Sequence, residues 1–162
     1  MTGFCVWFTG LPCTGKTTLA RGLAWKLRMD GYAPVLLDGD DVRTWLTPDC
    51  DFTQEGRCAN VRRVAEVAKR IVDGEGVALV ALVSPFAADR EEAYHLIGHE
   101  RVVPVHLIAS EVVRHARDTR HVYTEHPERH GLYEKGGGGL ELDTGRRSPS
   151  ECLNVILAWV LS

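Results

Sequence analysis

A chain of 162 residues, 44% hydrophobic and 25% charged, has the size and balance of one soluble globular domain, able to bury about 70% of its unfolded surface. Its net charge of −3 argues against a general nucleic-acid binder, no apolar run approaches the ~18 residues of a membrane span, and MTGFCVWFTG lacks the basic start and long apolar stretch of a signal peptide. The five cysteines (Cys5, Cys13, Cys50, Cys58, Cys152) are odd in number and form no C-x-x-C pair, which predicts free thiols in a reducing cytosol.

FCVWFT (4–9) is β-rich and runs straight into glycine. A helical pattern follows, with Leu19, Leu23 and Leu27 four apart and Gly31 placed to end it. PVLLDGDD (34–41) reads as a second buried strand ending in acids. Residues 54–73 carry apolar side chains at 61, 64, 68, 71 and 72, one face of a helix. VALVALV (77–83) is the continuous apolar run of a strand covered on both faces. After it come a polar helix at about 88–98, a strand VVPVHLIA (102–109), and a helix beginning near Ser110, a fitting N-cap. LELDT (140–144) reads as a fifth strand and PSECLNVILAWVL as a closing helix. Strands alternating with helices predict an α/β fold: a three-layer α/β/α sandwich of the P-loop NTPase type on a mostly parallel five-stranded sheet, one domain over 1–162. Such sheets bind ligands beyond the carboxyl ends of their strands. Those ends read GLPCTGKTT, DGDD, SPF and DTG.

The first of these fits G-x-x-x-x-G-K-[ST] at every fixed position, between a strand and a helix. Glycines let backbone N–H groups curl around phosphates, and the helix N-terminus adds its positive dipole end. Gly10, Leu11, Pro12, Cys13, Thr14, Gly15, Lys16, Thr17 and Thr18 are therefore the expected nucleotide-binding residues. Lys16 reaches the β- and γ-phosphates, and the Thr17 hydroxyl is a ligand for Mg²⁺. No N-K-x-D segment of the guanine-reading kind occurs, which favours ATP, and the small size favours a kinase of small molecules. Cys13 inside the loop reads as a small buried side chain in preference to a redox switch.

Asp38 and Asp40 end the second strand beside this loop. One carboxylate there can hold Mg²⁺, a role given to Asp38, while the other orients or deprotonates an attacking hydroxyl. The same acids also suit a turn that caps a helix. Further on, Arg57 and Asn60 are three apart, so on a helix they share a face and can address one ligand. Arg62 and Arg63 start another stripe of surface or packing charges. Seven histidines, four of them between 115 and 130, lack a cysteine or carboxylate that would complete a metal set.

GLPCTGKTT, LDGDDVR, F-T-x-E-x-R-x-x-N-V-R-R-V-A-E-V-A-K and SPFAADRE together resemble the successive motifs of adenylylsulfate kinases, which use ATP to phosphorylate the 3′-hydroxyl of adenosine 5′-phosphosulfate. The likeness runs from residue 4 to about 118 and resumes at GLYEK and LELDT. It implies ATP and Mg²⁺, a small nucleotide acceptor, a cytoplasmic enzyme, and admits a homodimer. It places Asp40, Arg43, Phe52, Arg57 and Asn60 around the acceptor, with Asp40 on the attacking hydroxyl, arginines on the phosphosulfate and Phe52 against the adenine. Arg117 matches an arginine near the ATP adenine. Ser84 matches a serine described as a phosphorylated intermediate; direct transfer is chemically sufficient, so Ser84 also reads as a loop residue near the phosphates.

Two departures stand out. Ala87 replaces the arginine that usually follows SPF, although Arg90 remains. The aromatic acceptor lid of the family is missing: TRHVYTEHPERH separates Asp118 from Gly131, and GLYEK leads directly into GGGG. Residues 119–139 thus read as a remodelled lid, with 119–130 as a substitute cover and the glycines as a flexible connection. Two readings remain beside the leading one: a kinase of this architecture with another nucleotide-linked or small hydroxyl acceptor, and a nucleotide-binding regulatory protein with little turnover.

Overall fold

Strand β1 (Phe4–Thr9) shows why the sheet forms where it does. Cys5 and Trp7 point into one hydrophobic cluster, Val6 and Phe8 into another, and all four are fully buried. A strand apolar on both sides must lie at the centre of a covered sheet. In this computed structural model, which describes residues 3–161, β1 pairs in parallel with β3 (Val77–Ala81) and β4 (Val102–Ile108). β2 (Pro34–Asp38) and β5 (Leu140–Asp143) form the edges, and the order is β2-β3-β1-β4-β5. All four pairings are parallel. Both terminal bounds of the predicted domain, at 1 and 162, lie outside the described residues.

Helices α1 (Lys16–Met29) and α7 (Pro149–Val160) cover one face, through Leu19, Leu23, Leu27, Cys152 and Ile156. Helix α3 (Gln54–Asp73) and helix α4 (Ala87–Ile97) cover the other, through Val61, Val64, Ala68, Ala93 and Ile97. This is the expected three-layer α/β/α sandwich. Local chemistry sets the helix ends. Thr53 caps α3, and Ser148 with Glu151 forms a capping box on α7. Ser110, as expected, caps α5 (Glu111–Ala116).

Two short helices were not foreseen. The acids after β2 were read as part of the strand, but Gly39–Trp45 forms helix α2, with Asp38 as N-cap accepting from the Asp40 N–H at 3.2 Å. The strand stops because its last carboxylate satisfies a free N–H of the next helix. Helix α6 (Val122–Glu125) lies in the segment expected to be a cover, and a 3₁₀ turn, Pro127–Arg129, follows it.

The glycine run is anchored, contrary to the expectation of a flexible connection. Gly136 to Gly139 all have positive φ. The Gly136 carbonyl accepts from Arg90 at 3.0 Å, and a Cβ on Gly139 would lie 2.4 Å from the Pro104 carbonyl oxygen. Only glycine lets this chain cross so close to β4 before entering β5.

A Cβ on Gly138, by contrast, meets nothing within 4 Å, although its φ is +64°. Gly138→Ala is therefore expected to cost only the left-handed backbone penalty, about 1 kcal/mol. Gly139→Ala adds a backbone collision and is expected to cost on the order of 2 kcal/mol or more. Urea unfolding of the two variants checks this; equal losses would mean that the run is not held against Pro104.

Candidate active site

The loop between β1 and α1 is shaped from within. Gly10 (φ +145°) has no room for a side chain, since a Cβ would sit 2.4 Å from the Leu107 carbonyl oxygen. Thr14 is buried and donates its hydroxyl to the Leu11 carbonyl at 2.9 Å. Lys16 turns back under the loop, its Nζ donating to the Gly10 and Leu11 carbonyls at 2.8 and 2.9 Å. Burial brings the Lys16 ammonium down to about 8, against the opposing pull of Cys13, Asp38 and Asp40. Helix α1 begins at Gly15 with no side-chain cap and no acid in its first turn. Its free N–H groups and dipole thus face the loop uncompensated, an anion site by construction. Pro12, Cys13, Gly15, Lys16, Thr17 and Thr18 line a cavity of ≈ 520 Å³. Gly10, Leu11 and Thr14 lie behind that wall and hold its shape. Cys13 contacts Asp118, and burial with that carboxylate raises its thiol, which keeps it in the unreactive protonated form.

Asp38 makes two contacts from this position. It caps α2, and its Oδ2 accepts from the Thr17 hydroxyl at 2.5 Å. A hydroxyl and a carboxylate beside a phosphate loop are hard oxygen donors, the set that Mg²⁺ takes alongside phosphate oxygens and water. Among the described residues no cluster of three His, Cys, Asp or Glu could hold a metal alone, so phosphate oxygens would have to complete the shell.

Across the cavity stands a second wall of Asp40, Arg43, Phe52, Arg57 and Asn60. Arg43 lies 4.0 Å from the Phe52 ring centroid and donates to the Cys50 carbonyl, and Arg57 donates through Nε to the Phe52 carbonyl at 3.1 Å. Neither has an ion-pair partner among the described residues, and burial and like charge lower both guanidiniums. An uncompensated pair of arginines favours an anionic ligand. Asn60 is buried, its Oδ1 fixed by the Thr47 hydroxyl at 2.7 Å. Arg62 and Arg63 are surface charges, as expected: Arg63 pairs with Asp49, and Arg62 lies near Glu66 and Glu92.

Residues 117–130 join the two walls. Arg117 donates to the Cys13 carbonyl and to Thr144, whose hydroxyl donates to Thr14. The Asp118 carboxylate accepts from the Val122 and Tyr123 N–H groups, both at 2.9 Å, and starts α6. Tyr123 donates its hydroxyl to the Pro12 carbonyl at 2.7 Å and is stacked by His115. Arg120 pairs with Asp40, and the Glu128 carbonyl accepts from Arg57 at 2.8 Å. Sequence reasoning marked this stretch as a substitute cover. It did not single out Arg120, Arg129, Thr144 or Arg147, which also line the cavity; the DTG strand end was the available signal for Thr144.

Residues 131–139 do not line the cavity, which corrects the extent of the remodelled cover: GLYEK and the glycines brace the SPF loop instead. Glu134 accepts from the Ala87 N–H through its carboxylate, and its own N–H donates to the Pro85 carbonyl. Arg90, fully buried, donates to the Ser84, Glu134 and Gly136 carbonyls. Ser84 has φ +44°, is 2% exposed and accepts from the Trp7 indole at 3.1 Å. Ser84 also lines the cavity, beside the phosphate loop.

The profile of the adenylylsulphate kinase family matches residues 2–141. The adenylyl-sulfate kinase of Prochlorococcus marinus is 39% identical over 147 residues, 90% of this chain and 68% of that protein. That of Aeromonas salmonicida is 43% identical over 134 residues, 83% of this chain and 63% of that protein; the chain thus spans about two thirds of the length of these relatives. Among solved structures, the APS kinase CysC of Mycobacterium tuberculosis in complex with AMPPNP and APS superposes with a TM-score of 0.91 at 27% identity, covering 99% of both chains.

The depressed Lys16 has a direct consequence. Its charged form attracts phosphate, and in the free protein that form is lost as pH rises through about 8. Nucleotide affinity should be flat at neutral pH and fall by up to about tenfold per pH unit above that value, with one proton taken up on binding. Calorimetric titrations in buffers of different ionisation enthalpy check both; pH-independent affinity without proton uptake would sink the idea.

Proposed function

Because the chain belongs to the adenylylsulphate kinase family, we propose that it transfers the terminal phosphoryl group of ATP to the 3′-hydroxyl of adenosine 5′-phosphosulfate, giving 3′-phosphoadenylylsulfate and ADP. The observation that carries this is the shared cavity: the phosphate loop forms one wall, and Asp40, Arg43, Phe52, Arg57 and Asn60 form the other. The loop N–H groups, the α1 N-terminus and Lys16 bind the donor phosphates, with Arg117 at the adenine end. Thr17 and Asp38 would hold Mg²⁺, which would neutralise charge on the phosphates.

The acceptor's anionic end meets Arg43 and Arg57, and its base lies at Phe52. Asp40 takes the proton of the 3′-hydroxyl as its oxygen bonds to the γ-phosphorus and the bond to ADP breaks. Arg120 pairs with Asp40 in the free protein and gives up that contact to the acceptor hydroxyl. Ser84 positions the loop beside the phosphates, and the phosphoryl group passes directly from ATP to the acceptor hydroxyl. Intact Lys16, Thr17, Asp38 and Asp40 favour turnover over a purely regulatory role. The five free thiols suit the cytoplasm, and no described helix is long and apolar enough to cross a membrane. Oligomeric state enters none of these steps.

A coupled assay for ADP release with Mg·ATP and adenylylsulfate tests the reading. Asp40→Asn should lower kcat by about 10²–10⁴-fold with modest change in acceptor KM. Absence of ADP release by the unmodified protein overturns the proposal, and a defect of Asp40→Asn confined to KM makes Asp40 a binding residue.

A further inference from the structure

Three guanidinium groups surround one aromatic ring in the acceptor wall. Arg43, Arg57 and Arg129 lie 4.0, 5.4 and 5.3 Å from the Phe52 ring centroid, all within cation–π range. They are not held alike. Arg43 is tied to the Cys50 carbonyl, and Arg57 is tied to the Phe52 and Glu128 carbonyls. The Arg129 guanidinium makes no hydrogen bond among the described residues; its Nε is buried and unsatisfied, with only the neighbouring Glu128 carboxylate at 3.7 Å as an ion-pair partner. The backbone, however, delivers it to the ring: the Arg57 bond to the Glu128 carbonyl pins the residue beside it.

From this the geometry points to Arg129 as the specificity-determining residue for the acceptor base: its guanidinium forms the upper face of a slot whose lower face is Phe52, and the base enters between them. The inference rests on the proposed acceptor. A guanidinium is planar, delocalised and weakly hydrated, so it stacks on a purine much as it rests on a phenyl ring. Moving Arg129 off Phe52 breaks no hydrogen bond, and inserting a base gives both flat groups a new partner. Arg43 and Arg57 would have to break bonds to do the same, so they remain free to meet the anionic end of the acceptor. Residues 127–129 thus supply stacking area with an arginine in place of an aromatic residue.

Steady-state kinetics of this 162-residue chain with Mg·ATP and adenylylsulfate test this, comparing Arg129→Ala, Arg129→Phe and Arg129→Lys. Loss of one stacking face should raise the acceptor KM of Arg129→Ala about tenfold or more, with kcat and the KM for ATP nearly unchanged. Arg129→Phe, planar but uncharged, should restore the acceptor KM, and Arg129→Lys, charged but not planar, should not. Unchanged acceptor KM in Arg129→Ala, or rescue by lysine and not by phenylalanine, overturns the slot while leaving the proposed reaction intact. An unmodified protein that binds ATP but does not turn over adenylylsulfate overturns both. An unaltered KM for ATP in each variant separates a local effect from misfolding.

Discussion

The cleft is organised around an ammonium group that the fold buries without giving it an anion. Lys16 Nζ rests on two backbone carbonyls, and its charge is held at a cost that shows in its lowered proton affinity. The helix behind it begins without a capping side chain or an acid in its first turn, whereas α3, α5 and α7 have both. Both features lower the stability of the free protein slightly, and phosphate relieves both at once. The rest of the site can be understood as what keeps that arrangement in place: Gly10 against β4, Thr14 closing the loop from inside, and Asp38 linking Thr17 to the start of α2.

Residues 117–130 bind both sides of the cavity and so tie the phosphate loop to the opposite wall. Tyr123 and Arg117 hold the phosphate loop through the Pro12 and Cys13 carbonyls, while Arg120 and the Glu128 carbonyl hold Asp40 and Arg57. These contacts are mostly single hydrogen bonds near the surface, each worth about 1 kcal/mol. Together they hold the segment in place without contributing to the sheet. The exposed Arg120–Asp40 pair contributes little stability by itself. Its consequence is positional, since it places a movable cation beside the carboxylate and within electrostatic reach of Lys16.

Much of the scaffold could be read from the residues because its signals are local. The 4–9 and 54–73 boundaries match β1 and α3, and Ser110 caps α5 as its type suggests. The second strand was read too long because DGDD offers acids that suit either a strand end or a helix cap, and only the backbone direction at Asp38 decides. Asp40, Arg43, Phe52, Arg57 and Asn60, which line the cavity together, were picked out by spacing and resemblance. Arg129 was not, because its partner Phe52 is 77 positions away, and nothing in local sequence records a pairing at that distance.

The glycine run shows the same limit from the other side. Four glycines in a row have the composition of a flexible tether, yet composition reports only the freedom of the unfolded chain. Here that freedom is used to thread the backbone past Pro104 and beneath Arg90. Among the described residues Arg90 has no carboxylate partner; its two terminal nitrogens donate to the Ser84, Glu134 and Gly136 carbonyls, while its Nε is left without a hydrogen-bond partner. A buried guanidinium can be met by carbonyls alone only if several chain segments converge on it, and glycine, without a Cβ, permits the closest convergence. The run therefore belongs to the support of the SPF loop, which shapes the wall behind the phosphates, and the cover of the cavity ends where the glycines' own segment begins, at Gly131.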